Sequence, residues 1–111
     1  ISSGAAINTY TGWGNYSISK AALNMMMKVY AIENPKTHFL SLSPGPVNTS
    51  MQDFICEEVD GEKFEWKKKF VELRENNEAP SADEAAEKIY ELLPQLKEEL
   101  ESGSFIDVRK I

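Results

Sequence analysis

Ser3, Tyr16 and Lys20 are the residues whose types and spacing could do chemistry. Tyr16 and Lys20 are four positions apart, one turn of a helix, so they share a face. An ammonium beside a phenol stabilises the phenolate. It brings a proton ordinarily held to about pH 10 within reach of neutral conditions. A tyrosine tuned in this way can give a proton to a carbonyl oxygen or take one from an alcohol. A serine hydroxyl nearby can hydrogen-bond the same oxygen and orient it. Together these form a proton-transfer site for carbonyl reduction. The three residues contain no hydride source, so a cofactor must supply one.

Such a site needs a strand end for Ser3 and a helix for Tyr16 and Lys20. Residues 1–3 read as the tail of a strand, and the glycines and polar residues of 4–14 as a loop. A helix is expected over 15–32, rich in Ala, Leu and Met. Its apolar positions Ile18, Ala22, Met25, Met26, Val29 and Ile32 recur at helical spacing, and Asn34-Pro35 stops it. A short strand buried on both faces follows at 37–42, cut off by Ser43-Pro44-Gly45-Pro46. Helices are expected over 51–59 and 62–76. Ser81 with Glu84 forms a capping box for another, running to about Leu93, interrupted by Pro94 and open to resuming as far as Leu100. Ser102-Gly103 precedes a last strand over 104–108. Strands separated by helices imply parallel pairing, hence an α/β fold.

The 111 residues are 41% hydrophobic and 27% charged, ordinary globular composition, so wholesale disorder and a fibrous class are excluded. One domain of modest core fits the length. A formal net charge of -6 argues against nucleic acid as a partner. No apolar run approaches the roughly 20 residues of a membrane span. Cys56 is the one cysteine, so an internal disulfide is impossible and a reducing compartment, the cytoplasm, is expected. Cys56 also lacks a His or Cys at ligand spacing, and no metal is expected. The opening Ile1-Ser2-Ser3 has the look of a chain continued from something longer, and no signal peptide is read at its start.

A bare Tyr-x-x-x-Lys is a weak signal, but its context is specific. Ser3 stands thirteen positions before Tyr16. Ala21-Ala22 follow Lys20, and Pro44-Gly45-Pro46-Val47-Asn48-Thr49 follows the next strand. Over nearly its whole length the chain resembles the second half of a short-chain dehydrogenase/reductase. Glu33-Asn34-Pro35, Met51-Gln52 and the ending Ser102 to Asp107 resemble the sepiapterin reductase branch. Diketone reductases share that signature. The resemblance implies a Rossmann-type doubly wound parallel sheet. This chain would be the C-terminal half, two to three strands with crossover helices, so that 1–111 is the C-terminal part of a single NAD(P)-binding domain. It implies Ser3, Tyr16 and Lys20 as catalytic residues. Tyr16, Lys20, Pro44, Gly45, Val47 and Thr49 would contact the cofactor. Trp13 and Asp107 would contact the substrate, Asp107 as the pterin anchor. It further implies NADP as cofactor, a small-molecule carbonyl substrate and a homo-oligomer.

Other roles remain open at several of these positions. Ser3 could cap local backbone, and Thr49 could be a helix N-cap while also touching cofactor. Trp13 and Tyr10 could wall the substrate cleft or pack the loop. Asp107 could bond local backbone or Arg109. The family's glycine-rich phosphate loop is not found in these residues, and Gly12-Trp13-Gly14 is no substitute. The residue that selects NAD or NADP is missing with it, so NAD stays open. The alternative to an enzyme is therefore an inactive fragment that keeps the site residues and binds no dinucleotide.

Overall fold

Two four-residue segments, Leu-Ser-Leu-Ser and Ser-Phe-Ile-Asp, lie side by side in the computed structural model, which describes residues 1–111. They are β1, Leu40–Ser43, and β2, Ser104–Asp107, paired in parallel from Leu40 opposite Ser104 to Ser43 opposite Asp107. Parallel pairing across intervening helices makes the chain α/β, as expected. The first residues contribute a single ladder-like bond, from the Ser2 amide to the Leu42 carbonyl at 2.7 Å, and form no strand of their own. β1 starts three residues later than the pattern predicts. Phe39 donates its amide to Ser102 Oγ at 2.9 Å and accepts from the Gly103 amide at 2.7 Å, so it pairs with a turn rather than with a strand.

The chain divides into two compact units, Ile1–Gly45 with Ile89–Ile111, and Pro46–Lys88. In the first, α1 (Gly14–Glu33) packs against both strands. It ends where expected, with Asn34 donating through both its amide and its side chain to the Tyr30 carbonyl and Pro35 barring continuation. The face it turns inward is not the expected one. Ile18, Met25, Val29 and Ile32 are exposed, Ile32 to 81%, while Tyr16, Lys20, Leu23, Asn24, Met27 and Ala31 lie at least partly covered. The helix is apolar on several sides, so periodicity does not choose between them. The polar bonds of Lys20 and Asn24 described below do. Gly103, at φ +92°, lies where a Cβ would sit 3.2 Å from Lys28 Cα, which lets the turn before β2 approach the α1 backbone.

The core of this unit is Leu42, Leu96 and Val108, with Leu40, Ile89, Leu92, Leu100 and Ile106 packed around them. Three of these come from α4, Ala82–Glu99, and Leu100 directly follows it. The sequence predicts an interruption at Pro94, yet the helix runs through it. Pro94 forfeits one amide bond. Ile89, Leu92, Leu96 and Leu100, spaced three and four apart on both sides of it, hold the two turns to a common core.

The second unit holds α2 (Ser50–Glu58) and α3 (Lys67–Glu75). Arg74 of α3 joins them, 3.1 Å from Glu57 and 3.7 Å from Asp53. The helix expected over 62–76 is shorter, its first residues forming turns whose Phe64 and Trp66 rings pack in series with Phe70 of α3. The capping box is present: Ser81 Oγ accepts from the Glu84 amide at 3.2 Å, and the Glu84 carboxylate accepts from the Ser81 amide at 2.8 Å. Those bonds hold the Glu84 carboxyl below its ordinary pKa.

Candidate active site

The first unit brings Ser3, Trp13, Tyr16, Lys20, Pro44, Gly45 and Asp107 together on one scaffold. Tyr16, Lys20 and Asn24 follow one another at four-residue spacing along α1. Lys20 Nζ donates to the Ile1 carbonyl at 3.2 Å. Ser2 Oγ, buried, donates to buried Asn24 Oδ1 at 2.5 Å. These bonds, with the Ser2 amide on β1, hold the start of the chain against the helix face that carries Tyr16.

Ser3 then leads into a 3₁₀ turn, Gly4–Ala6, and caps it. Its Oγ accepts from the Ala5 amide at 3.2 Å. A hydroxyl has one proton and two lone pairs, so the cap uses an acceptor and leaves the Ser3 proton to be donated. The Tyr16 ring meets the edge of Trp13 at right angles, centroids 5.3 Å apart, and Lys20 Nζ stands 5.8 Å from the Tyr16 centroid. Trp13 in turn tilts against Tyr10, again at 5.3 Å. The Tyr10–Trp13–Tyr16 series thus packs the loop against the start of α1.

Pro44 and Gly45 leave the carboxyl end of β1, directly after Ser43 and so beside Asp107 of β2. Gly45 has φ +77°, and the space a Cβ would take is filled by Arg109, whose Cδ lies 2.7 Å from that position. Arg109 is held there by Asp107. The Asp107 Oδ1 accepts from the Arg109 amide at 3.0 Å and from Nε at 2.9 Å, and Oδ2 accepts from Nη2. Of the two roles open to Asp107, bonding to Arg109 is the one the geometry displays. The guanidinium bonds hold the Asp107 carboxyl below its ordinary pKa against the opposing effect of burial, and raise that of Arg109. Val47 and Thr49 belong to the second unit. Val47 is half-buried. Thr49 is the extended N-cap residue of α2, but its hydroxyl makes no capping bond and is left for another partner. Nowhere do three or more His, Cys, Asp or Glu side chains converge as metal ligands.

Comparison with known proteins decides the family. The model of the short chain dehydrogenase family matches residues 1–60. The chain belongs to the short-chain dehydrogenases. It is 40% identical over 108 residues to the sepiapterin reductase of Bos taurus, covering 96% of this chain and 39% of that protein. It is 35% identical over 112 residues to a Bacillus cereus benzil reductase that forms (S)-benzoin, covering 97% and 44%. The KRED1-Pglu enzyme superposes with a TM-score of 0.78 at 32% identity, covering 96% of this chain and 45% of that one. A Saccharomyces cerevisiae short chain dehydrogenase/reductase gives 0.79 at 30%, covering 96% and 43%. This short-chain dehydrogenase chain therefore spans about two fifths of the length of the relatives it matches, and it shares their Rossmann-like α/β fold.

Two residues that serve the site were not among the candidate site residues of the sequence. Asn24 is a lone amide in an apolar stretch, which is a usable sign of a buried hydrogen bond. Arg109 follows Asp107 by two. It was legible as a possible mate for Asp107 but not as a neighbour of Gly45, which chain folding alone creates.

The Asp107–Arg109 pair predicts a pH dependence of stability. A carboxyl whose folded pKa is depressed adds stability above its unfolded value, near 3.8, and loses it as pH falls through the folded value. Asp107→Asn should cost about 1–2 kcal/mol near neutrality, a modest figure because the Arg109 side chain is half exposed. The gap from wild type should narrow below about pH 4. Thermal midpoints from about pH 7 to about pH 2 measure this; a gap unchanged across that range would remove the pair from the pH dependence.

Proposed function

We propose that the protein carrying this chain is an NAD(P)H-dependent carbonyl reductase acting on a ketone or diketone, with NADP the preferred form. Residues 1–111 would be the C-terminal part of its single NAD(P)-binding domain. The observation that carries this reading is the Ser3, Tyr16 and Lys20 arrangement: a phenol beside an ammonium, and a serine whose proton its cap does not use. The names of two relatives, sepiapterin reductase and benzil reductase, support a carbonyl substrate and leave its identity open.

The donor set suits the nicotinamide end of a dinucleotide. In the first unit Lys20 has donors beyond the one spent on Ile1, and Tyr16, Pro44 and Gly45 would add contacts of their own; Val47 and Thr49, the latter with an uncommitted hydroxyl, are the cofactor contacts that the family resemblance implies for the second unit. The Cβ side of Gly45 is taken by Arg109, so only its other side is open to a ligand. Bound nicotinamide supplies hydride. Tyr16 gives its phenolic proton to the carbonyl oxygen as negative charge develops there. Ser3 donates to the same oxygen and fixes its direction. Lys20 steadies the phenolate left behind, and water returns the proton. Trp13 bounds the space beside the phenol.

The lone Cys56 favours the cytoplasm, and the exposed apolar positions of α1 favour a homo-oligomer. No helix is long and apolar enough to cross a membrane. The coverage of 39% of a relative favours a second reading for the 111 residues alone, an inactive piece that lacks the phosphate-binding half. NADPH consumption with benzil tests both. Turnover by the longer protein and none by residues 1–111 is expected. Absence of turnover with benzil, sepiapterin and simple ketones would overturn the reductase reading, and micromolar NADPH binding by residues 1–111 would overturn the inactive-piece reading.

A further inference from the structure

We propose that Arg109 selects the substrate: the site takes a carbonyl compound bearing a carboxylate or similar anion next to the reacting carbonyl, and the guanidinium receives it. This rests on the carbonyl-reductase reading above.

The first ground is that Asp107 is spent. Both of its oxygens accept from Arg109, and its side chain is 6% exposed against 50% for Arg109. A ligand offering hydrogen-bond donors to Asp107 would have to displace a chelating guanidinium first. What the pair shows to the outside is the cation. Nε and Nη2 face Asp107, and Nη1 is the nitrogen with no bond to it.

Position is the second ground. The Arg109 side chain lies over Gly45, with Cδ, Nε and Cγ at 2.7, 3.0 and 3.2 Å from the place of a Cβ. Nη2 also lies 3.8 Å from the corresponding place at Gly4, the residue after Ser3. Tyr10, which packs on Trp13 beside Tyr16, lies within electrostatic reach of the guanidinium. Arg109 therefore stands between the Ser3 turn, assigned to the carbonyl oxygen, and the Pro44-Gly45 turn, assigned to the cofactor. A group attached to the reacting carbonyl has this cation as its neighbour. Lys110 adds positive charge near Asp107.

Chemistry is the third. A guanidinium is a rigid planar fork matched to carboxylate, and one already oriented by a buried carboxylate loses little freedom when it binds another. The Gly45 conformation is part of the device, because any side chain at that position would evict Arg109.

Phenylglyoxylate and its methyl ester share a reacting ketone and differ in charge, so they isolate the effect. With the full-length protein and NADPH, KM for each is measured for wild type, Asp107→Asn, and Asp107→Asn combined with Arg109→Gln. The double variant is used because Arg109→Gln alone strands a buried carboxylate and could fail to fold. The double variant should raise KM for phenylglyoxylate about tenfold or more, the loss of one charge-assisted pair, with the ester changed less than about threefold. Asp107→Asn alone leaves the guanidinium without its counter-charge, and phenylglyoxylate should bind as well as to wild type or better. Parallel changes for acid and ester, or a loss of acid binding in Asp107→Asn, would overturn the proposal. Calorimetric binding of phenylglyoxylate to the same three proteins needs no turnover. If no carbonyl compound is reduced the reductase reading falls, and the calorimetry still decides whether Arg109 holds an anion: weakened binding in the double variant supports it, and absent or unchanged binding overturns it.

Discussion

Tyr16→Phe should remove carbonyl reduction by a factor on the order of 10²–10⁴, the usual worth of a positioned general acid. Phenylalanine keeps the ring, so the edge contact with Trp13 at 5.3 Å and the Lys20 ammonium at 5.8 Å can persist. What disappears is the phenolic proton. Ser3 cannot replace it, because a serine hydroxyl that gave up its proton would be left as a far more basic alkoxide. The loss should therefore appear chiefly in kcat. Single-turnover reduction of benzil by full-length protein measures it. Turnover within a few-fold of wild type would take Tyr16 out of the mechanism.

Ser3→Ala should lower kcat by about 10²–10³-fold, the range seen when one donor to a developing oxyanion is deleted. Its structural cost should be smaller, about 1 kcal/mol, because the same substitution removes the cap on the Ala5 amide. The two effects separate experimentally. A thermal melt reads the cap, while kcat at saturating substrate reads the donor. Ser3→Thr keeps the hydroxyl, and it should recover most of the turnover. If alanine and threonine variants lose turnover equally, Ser3 acts through the turn and not through its proton.

Much of this architecture was legible in the residues, and for identifiable reasons. Local rules read well where one or two neighbours settle the outcome: Ser81 with Glu84, Asn34 before Pro35, and Tyr16 with Lys20 one turn apart. They read poorly where distant contacts decide. α4 crosses Pro94 because its leucines share a core with Leu42 and Val108. α1 buries its Tyr16–Lys20–Asn24 face, and not the Ile18–Met25–Ile32 side, because residues 1 and 2 supply hydrogen-bond partners for it. β1 loses its expected start because Thr37 and Phe39 bond instead to Ser102, 65 and 63 positions on. At the site, residue types pointed to Tyr16, Lys20 and Ser3. The placing of Arg109 over Gly45 needed the two strand ends to be brought together.

The pairing of Leu40 with Ser104 and of Ser43 with Asp107 also orders events in time. Closing a chain of about sixty residues costs roughly 4 kcal/mol in entropy before any strand contact repays it. α1 and the capped turn at Ser81 involve only near neighbours and can form in microseconds or less, whereas the β1–β2 ladder has to await that closure. Tyr16 and Lys20 are thus aligned as soon as a helix exists. The Arg109–Asp107 clasp at the Gly45 turn is among the last things made when the protein folds, and among the first surrendered when it opens.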